Sequence, residues 1–205
     1  PIALLIAASF GAQAAEFPDG KPVTIVVPFA AGGPTDRVAR DLAEAMSRQL
    51  GGTPIVIDNA AGAGSTIGNA KVARAKNDGH TLLVTHVGMA TTPVLYRKLS
   101  YNYETDFEYL GMINDVPMTL IGKPQIEAKN LAELRDWIAK NPGKVNLGNA
   151  GVGSASHLCG LLFQSELKAD MTTVPYKGTA PAIADLLGDL NQRNFKKLTG
   201  TRRSW

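Results

Sequence analysis

Residues 23–50 set out a strand, a glycine-bearing loop and an amphipathic helix in immediate succession, and that grammar recurs down the chain. Val23-Thr24-Ile25-Val26-Val27 is a continuous β-branched run, the pattern of a strand buried on both faces. It runs into Pro28-Phe29-Ala30-Ala31-Gly32-Gly33-Pro34, where a helix cannot continue. Helical spacing follows. Val38, Leu42, Met46 and Leu50 recur on one face, Arg37, Arg40, Asp41, Glu44 and Arg48 cover the other, and Gly51-Gly52 ends the run. Thr35 is the expected N-cap, with Asp36 in the first turn.

The next unit repeats this order. Ile55–Ile57 reads as a strand, Asn59–Thr66 as a small-residue loop, Ile67–Lys76 as a helix, and Thr81–Thr85 as a third strand after an Asp78-Gly79 turn. Such β-loop-α-β units build parallel sheets flanked by helices. Residues 97–109 are polar and aromatic and read as a linker. A second series follows it. Strands are expected at 117–121, 145–147 and 172–174, and helices around Leu131–Ile138, from Ser156 to Leu167 and from Thr179 to Leu187. The expected organisation is a first α/β lobe over 15–104 and a second over 105–190.

The two ends read differently. Ile2–Ala8 is an uncharged apolar run leading to Ala12-Gln13-Ala14, a small-x-small triplet of the kind cut by signal peptidase. Residues 1–14 therefore read as a signal peptide lacking its own beginning; a buried N-terminal strand or helix is the alternative. Residues 191–205 hold five of the 21 basic residues and no acid. Without this tail, 16 basic residues face 18 acidic ones, so the body of the chain carries no basic bias towards nucleic acid. Hydrophobic residues at 44% and charged residues at 19% exclude a disordered chain. The single Cys159 cannot form an internal disulfide, and the three histidines are scattered. Neither a metal site nor a cofactor is indicated.

Three glycine-rich loops, 29–35, 60–66 and 148–155, each lie between a strand and a helix start. A helix N-terminus offers backbone N–H groups and partial positive charge, and glycine lets an anion approach them. In open parallel sheets, ligands sit beyond the C-terminal strand ends, where such loops lie. The plainer alternative is that Gly and Ala merely make tight turns. No loop matches the dinucleotide fingerprint, the phosphate loop or the GxSxG nucleophile elbow. Asp36 complements the helix dipole or contacts a polar or amino group of a ligand. His86 and Lys177 are either cleft-lining or solvated. Ser154, Ser156 and His157 cluster in sequence, which leaves a hydrolase or transferase reading open if a hydroxyl meets the imidazole. Ser156 is otherwise the expected cap of the helix, and Cys159 a small core residue beside Leu158, Leu161 and Leu162.

Five segments occur in order: VTIVVPFAAGGPTDRVAR at 23–40, NAAGAGSTIG at 59–68, DGHTLL at 78–83, GNAGVGSASHL at 148–158 and VPYKGTAPAIADLL at 174–187. Together they resemble the extracytoplasmic solute receptors of tripartite tricarboxylate transporters, the Bug or TctC-like family, over roughly residues 15–190. The resemblance implies an α/β, two-lobed periplasmic-binding fold of type II that closes on a small organic acid. It implies a periplasmic, monomeric receptor that hands its ligand to membrane transporter subunits, while the signal-peptide reading and the lack of a later apolar run long enough to span a membrane lead to the expectation of an exported, soluble mature protein. It places the carboxylate between Phe29, Ala30, Gly32, Gly33, Thr35 and Asp36 on one side and Gly151, Gly153, Ser154, Ser156 and His157 on the other. Gly64, Ser65 and the His86 region would line the cleft. The sequence departs from the family pattern near Asp189, where NQRNFKKLTGTRRSW replaces the expected return to the first lobe. The fold is thus expected to be incomplete at the C-terminus and binding weakened or lost; a fragment with no ligand of its own is the remaining alternative.

Overall fold

A computed structural model describes residues 17–123 and 126–188. The expected signal peptide at 1–14 and the basic tail at 191–205 lie outside the described residues. The first sheet has the order β2-β1-β3, with β1 (Val23–Val27) central, β2 (Ile55–Asn59) and β3 (Thr81–Leu83) on either side, and both pairings parallel. Val23, Ile25, Val26 and Val27 are fully buried, as a central strand covered on both faces requires. The helices are α1 (Pro34–Gln49), α2 (Thr66–Ala73) and α3 (Gly88–Leu95). One core joins Ile25, Val27, Phe29 and Val84 to Ala39 and Ala43 of α1. A second joins Ala70 of α2 to Met89 of α3 and Tyr101.

The second sheet pairs β4 (Asn146–Asn149) with β5 (Thr172–Pro175), again in parallel. Helices α4 (Leu131–Lys140), α5 (Ala155–Leu167) and α6 (Thr179–Leu187) accompany it. No helix among the described residues is long and apolar enough to cross a membrane.

Several expectations need correction. Gly33, not Thr35, is the N-cap of α1; Pro34 opens the helix and Thr35 lies inside it. Ser154, not Ser156, caps α5: its hydroxyl accepts from the His157 N–H at 3.2 Å. Cys159 is exposed rather than in the core. The buried residue of α5 is its neighbour Gly160, packed so closely on Leu147 that a Cβ there would lie 2.8 Å from its side chain. That turns Leu162 outwards, 66% exposed. Residues 117–121 form no strand, since no described strand lies beside them to share a ladder. Helix α3 has no signature in the sequence pattern, because Pro93 and the threonines interrupt any 3.6-residue spacing.

Candidate functional site

The loops that follow β1, β2, β3, β4 and β5 all reach one junction between the two sheets. After β1, the backbone N–H of Ala30 donates to the carbonyl of Lys177 in the β5–α6 loop at 2.9 Å. Gly178 sits so close to this contact that a Cβ would lie 3.0 Å from the Ala30 nitrogen, and its φ of +147° suits glycine. Gly33 faces the first amides of α6, a Cβ there lying 3.8 Å from the Ala180 nitrogen.

After β2, Gly64 is the tightest point. A Cβ on it would stand 1.9 Å from the Val152 carbonyl oxygen, so only glycine fits, and its φ is +62°. Ser65 beside it is buried and holds a left-handed φ of 92°, which a side chain rarely adopts. Its hydroxyl accepts from Nδ2 of Asn69 at 3.3 Å. After β3, His86 stacks on Phe29 with ring centroids 4.5 Å apart. Its Nδ1 accepts from the Gly88 N–H at 3.2 Å, which leaves the proton of the neutral ring on Nε2. Burial holds its pKa below the ordinary histidine value. Helix α3 then reaches across. The Thr91 hydroxyl donates to the Gly153 carbonyl at 2.7 Å and the Tyr96 hydroxyl to the Val152 carbonyl at 3.3 Å.

The β4–α5 loop is organised by its own side chains. Ala150 N–H donates to Oγ of Ser156 at 2.9 Å, Gly151 N–H to Oδ1 of Asn149 at 2.9 Å, and Gly153 N–H to Nδ1 of His157 at 3.3 Å. The Ser154 and Ser156 hydroxyls lie 3.1 Å apart. Neither hydroxyl is hydrogen-bonded to the His157 ring, whose Nδ1 accepts from a backbone N–H, so the geometry assembles no serine–histidine nucleophile pair. Among the described residues no three His, Cys, Asp or Glu side chains converge to hold a metal.

Asp36 is 3% exposed and fully employed within its own loop. Its carboxylate accepts from Gly32 N–H at 2.8 Å, from Arg40 Nε at 2.9 Å and Nη2 at 3.1 Å, and from Asn59 Nδ2 at 2.9 Å. Burial pushes its pKa up, but these donors, led by Arg40, outweigh it and hold the pKa below the ordinary value. Asp36 thus ties the β1–α1 loop to β2 and does not stand free for a ligand. Of the expected site residues, Phe29, Ala30, Gly33, Gly64, Ser65, His86, Gly151, Gly153 and Ser154 gather at the junction. Gly32 is linked to Asp36 and packs near Ala180. Thr35, Ser156 and His157 stand in the first turns of α1 and α5. An open groove of about 670 Å³ lies on the flank of α2, lined by Thr66, Lys71, Arg74 and Lys98.

Sequence reasoning missed Thr91 and Tyr96, whose helix has no 3.6-residue pattern. Asn149, inside the glycine-rich 148–155 loop by sequence, ends β4 in the structure.

Residues 38–198 match the family described as "Tripartite tricarboxylate transporter family receptor". The chain belongs to that family. It is 45% identical over 190 residues to a protein of Agrobacterium vitis encoded in the TAR-I ttuE-ttuC' intergenic region, covering 91% of this chain and 55% of the relative. The receptor fold is shared with solved structures. The periplasmic binding protein BugD superposes with a TM-score of 0.80 at 50% identity, over 83% of this chain and 56% of BugD. MatC from Rhodopseudomonas palustris, solved with bound malate, superposes at 0.76 with 40% identity, over 82% of this chain and 57% of MatC. These neighbours are periplasmic binding proteins, and this chain is α/β with parallel sheets flanked by helices. The chain spans about half the length of the receptors it matches.

Proposed function

We propose that this protein is a periplasmic receptor that captures a small organic acid through its carboxylate and delivers it to a membrane tripartite transporter. The observation that carries this reading is the convergence, at one junction, of the strand-end loops of both sheets in a chain 40% identical to a malate-bound receptor. Parallel sheets bind ligands at that end of their strands. The Nε2–H of a neutral His86 supplies a donor without a buried cation. That favours an acceptor-only ligand, held reversibly when the two halves, acting as lobes, close. The unformed serine–histidine pair supports binding without turnover.

The test is thermal unfolding of the protein with and without malate, succinate, citrate, glutamate, aspartate and nicotinate. A ligand of the folded state stabilises it by about 2.7 kcal/mol at a hundredfold excess over its dissociation constant. One acid that raises the midpoint, with stoichiometric heat and no product, supports the receptor reading. The same titration reads whether affinity is impaired. A flat response across the panel overturns the reading.

A further inference from the structure

Asn149 ends β4 and is 3% exposed. Only one end of its carboxamide is used. Oδ1 accepts from the Gly151 N–H at 2.9 Å, and because an N–H only donates, this contact fixes which end is oxygen. Nδ2 then carries two N–H donors, and among the described residues it has no partner. A buried donor without an acceptor is costly and calls for an explanation.

Its position supplies one. Gly151, to which the carboxamide is bonded, lies against the opposite half: a Cβ there would stand 3.3 Å from Cα of Gly64, and on its own half 3.2 Å from the Tyr176 carbonyl. The carboxamide is therefore at the junction of the strand-end loops. On the other sheet, Thr85 lies just beyond β3, and its buried Oγ1 is also without a partner. Both sheets thus end in an unpaired polar group at the end where a parallel sheet takes its ligand.

We propose that Asn149 is a ligand-contacting residue, its Nδ2–H donating to a carboxylate oxygen of the acid held between the two sheets. The assignment rests on the receptor reading above and adds a residue to it. With Oδ1 held by Gly151, the free end of the amide is donor-only. It therefore accepts a carboxylate and discriminates against an ammonium or another donor in its place. Being neutral, it contributes a charge-assisted hydrogen bond without a cation that must be desolvated on every cycle.

The experiment is calorimetric titration of the full chain with malate and with succinate, for wild type, Asn149→Asp and Asn149→Ala. The aspartate keeps an acceptor for Gly151 and replaces the donor by a lone pair and a repelling charge. Both variants should bind the acids at least about tenfold more weakly, with Asn149→Asp the weaker, while circular dichroism without ligand stays that of wild type. Independently of either variant's folding, the side-chain amide resonance of Asn149 in the wild type should move on malate addition. Variant affinities within twofold of wild type, or a stationary resonance with malate bound, overturn the assignment alone. A wild-type protein that binds neither acid overturns the assignment for these ligands, and one that binds no acid of the whole panel overturns the receptor reading with it.

Discussion

The Thr91 hydroxyl donates to the Gly153 carbonyl at 2.7 Å, joining a helix of the first-sheet half to the loop that opens α5 in the other. The same Gly153 passes its N–H to His157, so one residue is held through both of its flanking peptides. Thr91→Val keeps the shape and removes the donor. A net hydrogen bond is worth about 1 kcal/mol, so the closed arrangement should lose roughly fivefold in population. Because ligand affinity scales with the closed fraction, malate binding should weaken by a similar factor. Calorimetry checks the affinity, and small-angle scattering checks whether the ligand-free protein expands. Unchanged affinity and dimensions would show that Thr91 does not latch the halves.

The Asp36 carboxylate is predicted to be structural. Asp36→Ala leaves the Gly32 N–H without its acceptor and the Asn59 Nδ2 with the Phe29 carbonyl alone, and should cost about 2–3 kcal/mol, discounted because Arg40 is half-exposed. The sign with pH follows from the lowered pKa. A carboxyl whose folded pKa is depressed contributes stability above its unfolded pKa, near 4, and loses it as pH falls through the folded value. Urea unfolding at pH 7 and below pH 4 should show a large gap between wild type and variant at pH 7 and a shrinking one in acid. A gap independent of pH would refute the ionic account.

The β1–α1 unit was legible because its signals agree. A β-branched run, a loop closed by Pro34 and an apolar four-residue spacing all point one way, and the bounds of α6 at Thr179–Leu187 were read directly. Helix α3 was illegible for the opposite reason. Gly88, Thr91, Thr92, Pro93 and Val94 are poor helix formers, and its burial comes from Met89 and Thr92 packing on tertiary neighbours. The site was legible as loops but not as contacts. Three glycine-rich turns announce themselves in sequence, whereas the fit of Gly64 against Val152, or the spare amide of Asn149, exists only once two sheets meet. Asp36 shows the limit most sharply: a carboxylate beside a Gly-Gly loop looks free until Arg40 and Asn59 fold onto it.

Two histidines should give the protein opposing pH dependences. His80 places Nε2 3.0 Å from the Pro18 carbonyl and Nδ1 3.1 Å from the Asp78 carbonyl, with the Asp19 and Asp78 carboxylates near and Phe17 against the ring. The Pro18 hydrogen bond raises its pKa against burial, helped by the Asp78 carbonyl and the two carboxylates. Lys21 neutralises part of the Asp19 charge. A raised folded pKa contributes stability below the unfolded value, near 6.5, that is lost as pH rises through the folded value. His86, kept neutral by burial, does the reverse and costs stability as pH falls below about 6.5. Thermal midpoints should therefore decline on both sides of about pH 6.5. His80→Gln should flatten the alkaline limb and spare the acidic one. An unaltered alkaline limb would remove His80 from the account.

Residues 109–121 expose an apolar run that no described element covers. Leu110 is 80% exposed, Met112 81% and Ile121 58%. Contiguous apolar surface in an extended segment with unpaired backbone promotes association between copies. Leu110→Lys with Met112→Lys places charge on the most exposed positions and breaks the run. The doubly substituted protein should stay monodisperse at concentrations where the wild type associates, as read by sedimentation velocity. Neither side chain belongs to the strand-end junction, so malate affinity should not change. Equal association of both proteins would mean that other exposed apolar groups, such as Leu162 on α5 or Leu187 on α6, drive it. A fall in affinity would mean that this segment contributes to the closed site.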